Sequence, residues 1–255
     1  MLGDQATELV AYHRAHGGHV VLAGARGQAT CRSRYAEDSL AAAISGSGIA
    51  QYLILGAGLD SFAYRSPLSG QVRVFEVDHP ATQDFKLRRL SAAGIAVPGN
   101  VVFVPVDLDD GRPDGSLAGR LARSGFDVTR PAFVSWLGVT VYLTEAAIGQ
   151  TFAELGGFAP GSQVVADYML PAHLRDDDGS TYVDLVAPVA AERGEPWLTF
   201  LSPEQMSALL AEHGLTPLRH LAQGDVGDAA TWQRSDSLHP IRLSISAHVI
   251  VAGSG

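Results

Sequence analysis

Cysteine is nearly absent. Cys31 is the only one among 255 residues, so no intrachain disulfide can form and no cysteine-based zinc site can assemble. An odd cysteine would be a liability in a secreted chain, which favours a reducing cytoplasm. Positive charge is also scarce: 18 Lys and Arg face 27 Asp and Glu, giving a formal net charge of −9. Nucleic-acid binders usually carry a basic patch that neutralises phosphates, so that class is disfavoured. No apolar run is long enough to span a bilayer, and Met1–Glu8 lacks the basic-then-apolar order of a signal peptide. Internal repeats and low-complexity linkers are missing too. What is present is core material, 46% hydrophobic against 18% charged residues, enough for a single domain spanning residues 1–255. The expectation is a cytoplasmic enzyme with a small-molecule substrate and neither nucleic acid nor membrane as partner. A homo-oligomer is left open.

Five short, nearly continuous apolar runs read as buried parallel strands: Gln51–Leu55, Val72–Asp78, Val101–Asp107, Ala132–Leu137 and Gln163–Tyr168. Segments of helical spacing lie around them. Arg34–Ile44 precedes the first strand, and Pro80–Ala93 follows the second with proline in the first turn. Ser116–Arg123 and Thr144–Leu155 follow the third and fourth, and Ser202-Pro-Glu-Gln205 opens another helix with a capping box that ends near Gly214. Strands alternating with helices predict an α/β fold with a doubly wound, mostly parallel sheet. Leu215–Leu221 and Leu243–Val251 read as closing strands. Residues 1–33 read as an N-terminal helical cover, and residues 171–200 as a lid or acceptor-side insertion after the fifth strand.

The chemistry concentrates at three consecutive strand ends. The first is Leu53-Ile-Leu-Gly56-Ala-Gly58-Leu-Asp60. A buried strand ending in Gly-x-Gly turns tightly and lets a ligand approach the backbone without a Cβ in the way. Alone this is a weak signal, since an ordinary strand-to-helix turn is the simpler alternative for it. A dinucleotide site wants a third glycine at the position of Ser61, whereas a nucleoside ligand without phosphates does not. The second is Phe75-Glu76-Val77-Asp78. Glu76 and Asp78 point to one side, and Asp78, nearer the crevice, suits a ribose diol. The third is Val106-Asp107-Leu108, in which Asp107 can accept from an adenine amino group and Leu108 can pack on the ring.

These residues resemble a known family. Arg32-Ser-Arg34-Tyr-x-Glu-Asp-x-Leu, Gly56-Ala-Gly-Leu-Asp-Ser-Phe-Ala-Tyr-Arg65, Phe75-Glu-Val-Asp-His-Pro80 and Trp136-Leu-Gly-Val-Thr-Val-Tyr-Leu143 are similar to blocks of the leucine carboxyl methyltransferase family. The likeness is strongest to its bacterial, polyketide-type O-methyltransferase branch and runs from about Arg32 to Tyr168. It implies a Rossmann-like class I methyltransferase fold and S-adenosyl-L-methionine as methyl donor, with no metal. It implies donor contacts from Gly56, Gly58, Asp78, Asp107 and Leu108, and an arginine before the first strand that grips the donor carboxylate. Arg34 is the residue expected there, with Arg32 as its rival. One departure stands out: the family commonly has a glutamate where this chain has Leu137.

The acceptor side is harder to read. Tyr168, Met169, Leu170, Tyr182, Trp197 and Phe200 are an apolar supply suited to a small acid or phenol, with His173 or Arg175 as local positive groups. His79 and His173 lie near strand tips but read more simply as turn histidines. His13, His16 and His19 are evenly spaced, yet Gly17-Gly18 would break the helix needed to align them, and Asp176-Asp-Asp178 reads as a solvated loop. No Ser-His-Asp arrangement stands out. The expected activity is O-methylation of a carboxylate or phenolic hydroxyl on a polyketide-like or other secondary metabolite. The rivals are a peptide C-terminal carboxyl methyltransferase, a methyltransferase-fold cyclase or binding protein permitted by Leu137, and a nicotinamide oxidoreductase, against which Ser61 and Asp107-Leu108 speak.

Overall fold

The computed structural model describes residues 5–108, 116–226 and 247–254. Two helices open the chain, α1 (Gln5–His16) and α2 (Val20–Ser47), separated at Gly17-Gly18. Then come β1 (Gln51–Leu55), the short α3 (Phe62–Arg65), β2 (Arg73–Asp78), α4 (Pro80–Ala92), β3 (Val101–Pro105), α5 (Leu117–Arg123), β4 (Phe133–Trp136), α6 (Glu145–Gly156) and β5 (Gln163–Met169). Helix α7 (Asp177–Glu192) occupies the insertion, and α8 (Pro203–Glu212), β6 (Leu215–Leu221) and β7 (Ala247–Ser254) close the fold.

The seven strands form one sheet in the order β3-β2-β1-β4-β5-β7-β6, parallel except for β7, which runs against both neighbours. The order reverses at β1, between β2 and β4, so a crevice opens beyond the carboxyl ends of β1 and β4. Because strand side chains alternate, β1 feeds both faces of the sheet. Leu53 and Leu55 pack with Phe75, Trp136 and Phe152 on one side. Tyr52 and Ile54 pack with Leu40, Phe62 and Phe133 on the other.

Two segments differ from the sequence expectation. Helix α2 begins at Val20, not Arg34, with His19 as its N-cap. Its early turns carry Gly24 and Gly27, poor helix formers whose value is clearance. A Cβ on Gly24 would stand 3.1 Å from the ring of Tyr182, so the glycine brings α2 close to α7. The Asp176-Asp-Asp178 stretch is not a free loop either. Asp176 caps α7, accepting from the N–H of Gly179 at 2.6 Å, and Asp177 and Asp178 sit in the first turn against the positive end of the helix dipole. The strand expected over Leu243–Val251 runs from Ala247, and residues 243–246 lie outside the described residues. No described helix is long and apolar enough to cross a membrane.

Candidate functional site

At the end of β1 the backbone is left-handed at Gly56 (φ +65°) and Gly58 (φ +44°). The two glycines are required for different reasons. A Cβ on Gly56 would lie 2.2 Å from Cγ2 of Val139, on the loop after β4, whereas one on Gly58 would meet nothing nearer than 4.0 Å. Gly58 is needed for its dihedral and for open space above it. Its N–H donates to Oδ2 of Asp78 at 2.5 Å, and Oδ1 accepts from the N–H of His79 at 2.7 Å. The acid at the end of β2 thus braces the glycine turn. Each of its oxygens retains acceptor capacity at a half-buried position, which fits a diol.

Asp60 closes the turn by accepting from Phe62 N–H at 2.7 Å, and burial pushes its carboxyl above the usual range. Glu76 does not reach the crevice. It is fully buried, with Lys86 of α4 2.6 Å from its Oε2. Beyond β3, Asp107 is exposed, its Oδ2 3.9 Å from Nε2 of His79. Leu108 is 7% exposed and packs into the core with Val106 and Leu117, so its side chain does not stand in the crevice.

The two arginines separate cleanly. Arg34 lies on the outer surface of α2, in an exposed ion pair with Asp38 at 2.7 Å. Arg32, two residues earlier and so roughly 200° around the helix, faces the sheet. Its Nη1 donates to Oδ2 of Asp167 on β5 at 2.7 Å. The other oxygen of Asp167 accepts from Gly138 N–H at 2.5 Å, and a Cβ on Gly138 would stand 2.3 Å from Nη2 of Arg32. The sequence carried a usable signal: Arg32 precedes the core residues Ala36, Leu40 and Ala43 by 4, 8 and 11 positions, one helical face. Arg34 is out of phase with that stripe.

Around this cluster lies a cavity of about 260 Å³ roofed by α2 and α7. Its floor comes from Gly138 to Tyr142 after β4 and from Asp167 to Met169 on β5, and its walls include Gln28, Tyr182 and Trp197. The end of the insertion is tied down by main-chain bonds, Leu198 N–H to Val141 O at 2.7 Å and Leu201 N–H to Met169 O at 2.9 Å. Burial pushes the Tyr182 hydroxyl upward, so it holds its proton near neutrality. The side chain of Tyr168 leaves the cavity and points to the opposite face, where its hydroxyl lies 2.7 Å from Nδ1 of His220. Leu170 is likewise buried in the main core. His173 is exposed, while Arg175 is bound to the Leu170 carbonyl at 2.7 Å and stacked on Phe200. Leu137, in place of the acid expected there, packs against the core on the α2 side of the sheet. Among the described residues no three His, Cys, Asp or Glu side chains converge as metal ligands would.

Comparison with known proteins follows the same lines. YktD of Bacillus subtilis (strain 168), a candidate S-adenosyl-L-methionine-dependent methyltransferase, is 36% identical over 205 residues, covering 80% of this chain and 66% of YktD. The chain spans half or less of the mycobacterial relatives it also matches. A candidate methyltransferase of Thermobifida fusca superposes with a TM-score of 0.60 at 20% identity, covering 98% of this chain and 88% of that one. Magnesium protoporphyrin IX methyltransferase from Synechocystis PCC 6803, with bound S-adenosylhomocysteine, has a TM-score of 0.53 at 10% identity, covering 90% and 86%. With the sheet order above, these likenesses identify the fold as that of class I methyltransferases. The leucine carboxyl methyltransferase model matches residues 4–156, and the chain belongs to that family.

Proposed function

We propose that this protein is an S-adenosylmethionine-dependent O-methyltransferase acting on a carboxylate or phenolic hydroxyl of a small, largely apolar molecule, a polyketide-like or other secondary metabolite. One observation carries the reading: a partly enclosed cavity lined by aromatic and apolar side chains adjoins the glycine turn through the Arg32–Asp167–Gly138 cluster. Bound at the β1–β3 tips, S-adenosylmethionine would supply a methyl group already activated by its cationic sulfur.

The chain's own residues then have positional work. Gly56 and Gly58 open the backbone, Asp78 holds the ribose, and Asp107 accepts from the adenine amino group. Arg32, not the outward Arg34, is the guanidinium placed for the donor carboxylate, with Asp167 fixing its direction. Helices α2 and α7 roof part of the cavity, and shielding from water strengthens charge interactions there. The lining offers no ready proton acceptor: Asp167 is committed to Arg32 and Gly138, and Tyr182 stays protonated. That suits an acceptor oxygen already ionised at neutral pH, a carboxylate ahead of a phenol.

The test is a panel of carboxylic acids, phenols, amines and thiols with S-adenosylmethionine, with and without EDTA. Methylation confined to oxygen and indifferent to the chelator is expected. Transfer to amines alone, or activity abolished by EDTA, sinks the assignment. Leu137 favours one second reading, a protein that binds the donor without transferring its methyl. Tight donor binding with no methylated product across the panel would decide for it.

A further inference from the structure

Beneath the glycine turn lies a group of charges that the binding scheme above does not use. Glu76 and Lys86 are 0% and 1% exposed, with Nζ 2.6 Å from Oε2. Lys86 is the cation that holds the buried Glu76 carboxylate, by charge and by hydrogen bond. Lys86 Nζ otherwise faces the ring of Tyr64, 5.5 Å from its centre. Gln83, one turn before Lys86 on α4, ties the same place to the sheet, donating to the carbonyls of Glu76 at 2.8 Å and Val104 at 3.1 Å.

Four of the segments packed here contribute titratable groups, Asp60 from the turn after β1, Tyr64 from α3, Glu76 and Asp78 from β2, and Lys86 from α4, while β3 offers only the Val104 carbonyl. Asp60 and Asp78 both act electrostatically on Glu76, and Lys86 acts on Asp60. Glu76 and Asp60 therefore both feel the buried Lys86 ammonium, Asp60 feels Arg65 and Glu37 as well, and Asp78 bears on the same Glu76. Removing the water from such a group makes each charge depend strongly on its neighbours, and a buried ion that loses its partner is the costly state.

We propose that Glu76 is a positioning residue for donor binding: its carboxylate retains the Lys86 ammonium, and so leaves Asp78 free to hold the ribose. The proposal rests on the donor reading above. When Glu76 loses its charge, Lys86 is left unpaired in an apolar site. The other carboxylates acting on this site are Asp60 and Asp78, and an ammonium drawn to Asp78 takes acceptor capacity from the ligand. Burial pushes Glu76 up to about 7, with Lys86 the main pull downward. The carboxylate is thus present above neutrality and lost as pH falls through that value, and donor affinity falls with it.

The experiment is calorimetry with S-adenosylhomocysteine, from about pH 8.5 to about pH 6, on the intact chain and two variants checked for folding by circular dichroism. Wild type is expected to weaken about three- to tenfold over that range. Glu76→Gln, nearly isosteric, should bind as weakly as acidic wild type at every pH, without a slope. The double variant Glu76→Gln/Lys86→Met removes the ammonium as well and should recover wild-type affinity, again without a slope. A pair that only holds the fold together would leave the double variant as weak as the single. That result overturns the proposal, as does a wild-type slope retained in Glu76→Gln or absent from wild type. Should Glu76→Gln not fold, the sloping wild type against a tight, flat double variant decides. Failure of wild type to bind at any pH would bring down the donor reading and this inference together.

Discussion

At the β1–β3 tips the groups facing the crevice belong to the strands themselves: two left-handed glycines, a main-chain N–H and short acids at strand ends. At the β4–β5 tips the strands supply little beyond Asp167 and the Gly138 N–H. The guanidinium comes from α2, 135 residues away from Asp167 in sequence, and the aromatic walls come from the insertion. The first region is rigid through backbone geometry, the second through long-range packing of side chains from α2 and α7. Substitution should therefore have steep, local effects in the first region and graded, separable ones in the second.

The steepest test is Gly56→Ala. It forces a Cβ into left-handed backbone and against Val139, two penalties that together amount to about 3 kcal/mol. Donor binding should be abolished and the melting temperature should drop. Adding Val139→Ala relieves the overlap but not the dihedral, so only part of the stability should return. Full return would mean that the conformation of the turn costs nothing, and the contrast between the regions would lose its basis.

Asp78→Ala should come next. Losing a charge-assisted hydrogen bond weakens binding by about 1.5–3 kcal/mol, roughly one to two decades in Kd. Calorimetry with S-adenosylmethionine measures it. Unchanged affinity would take Asp78 out of the site and leave it as a brace for Gly58.

Arg32 and Arg34 test the second region from one helix. Arg34 takes part in an exposed i,i+4 pair of the kind contributing about 0.3–0.5 kcal/mol, so Arg34→Ala should change neither stability nor affinity measurably. Arg32→Lys keeps the charge but loses the planar fork. It should weaken S-adenosylmethionine several-fold while leaving the decarboxylated donor nearly unaffected. Equal loss with both ligands would make Arg32 a structural partner of Asp167 alone.

These two regions also mark how far the sequence could be read. The central parallel strands are legible because a strand buried on both faces must be continuously apolar, and β1, buried at every position, falls where the pattern puts it. The Gly56–Gly58 turn is legible because its backbone demands are local, and Asp78 reaches it from the next strand end. Leu108 is not: adjacency to Asp107 suggests a crevice position, but its side chain joins the core. Arg32 and Arg34 stay rivals in the sequence because the residues preceding them, rich in glycine and alanine, obscure the start of α2 and hence which of the two faces the sheet. The cavity was hidden most deeply. Its walls come from separate segments whose meeting depends on Gly24 admitting Tyr182, a contact with no local signature. The burial of Lys86 has no signal in the sequence, since a lysine in a helix ordinarily reads as solvated.

The smallest expected effect is also the one that divides the two oxygen acceptors. Tyr182 is buried beside Trp197, with ring centres 6.3 Å apart, and lines the cavity. Burial raises its hydroxyl, with Arg32 the main pull against it, so it holds its proton across the neutral range. A group that stays protonated cannot act as a general base there, and a carboxylate acceptor asks for none. Tyr182→Phe keeps the ring and its packing against Gly24. It should leave donor affinity unchanged and alter kcat for a carboxylic acid by less than about threefold, the scale of one weak hydrogen bond. A phenolic acceptor differs because its proton must leave during transfer, and an uncharged hydroxyl can still relay it. A tenfold or greater loss in kcat at constant acceptor KM, steepening as pH falls, would mean that Tyr182 takes part in proton movement and that the physiological acceptor is a phenol.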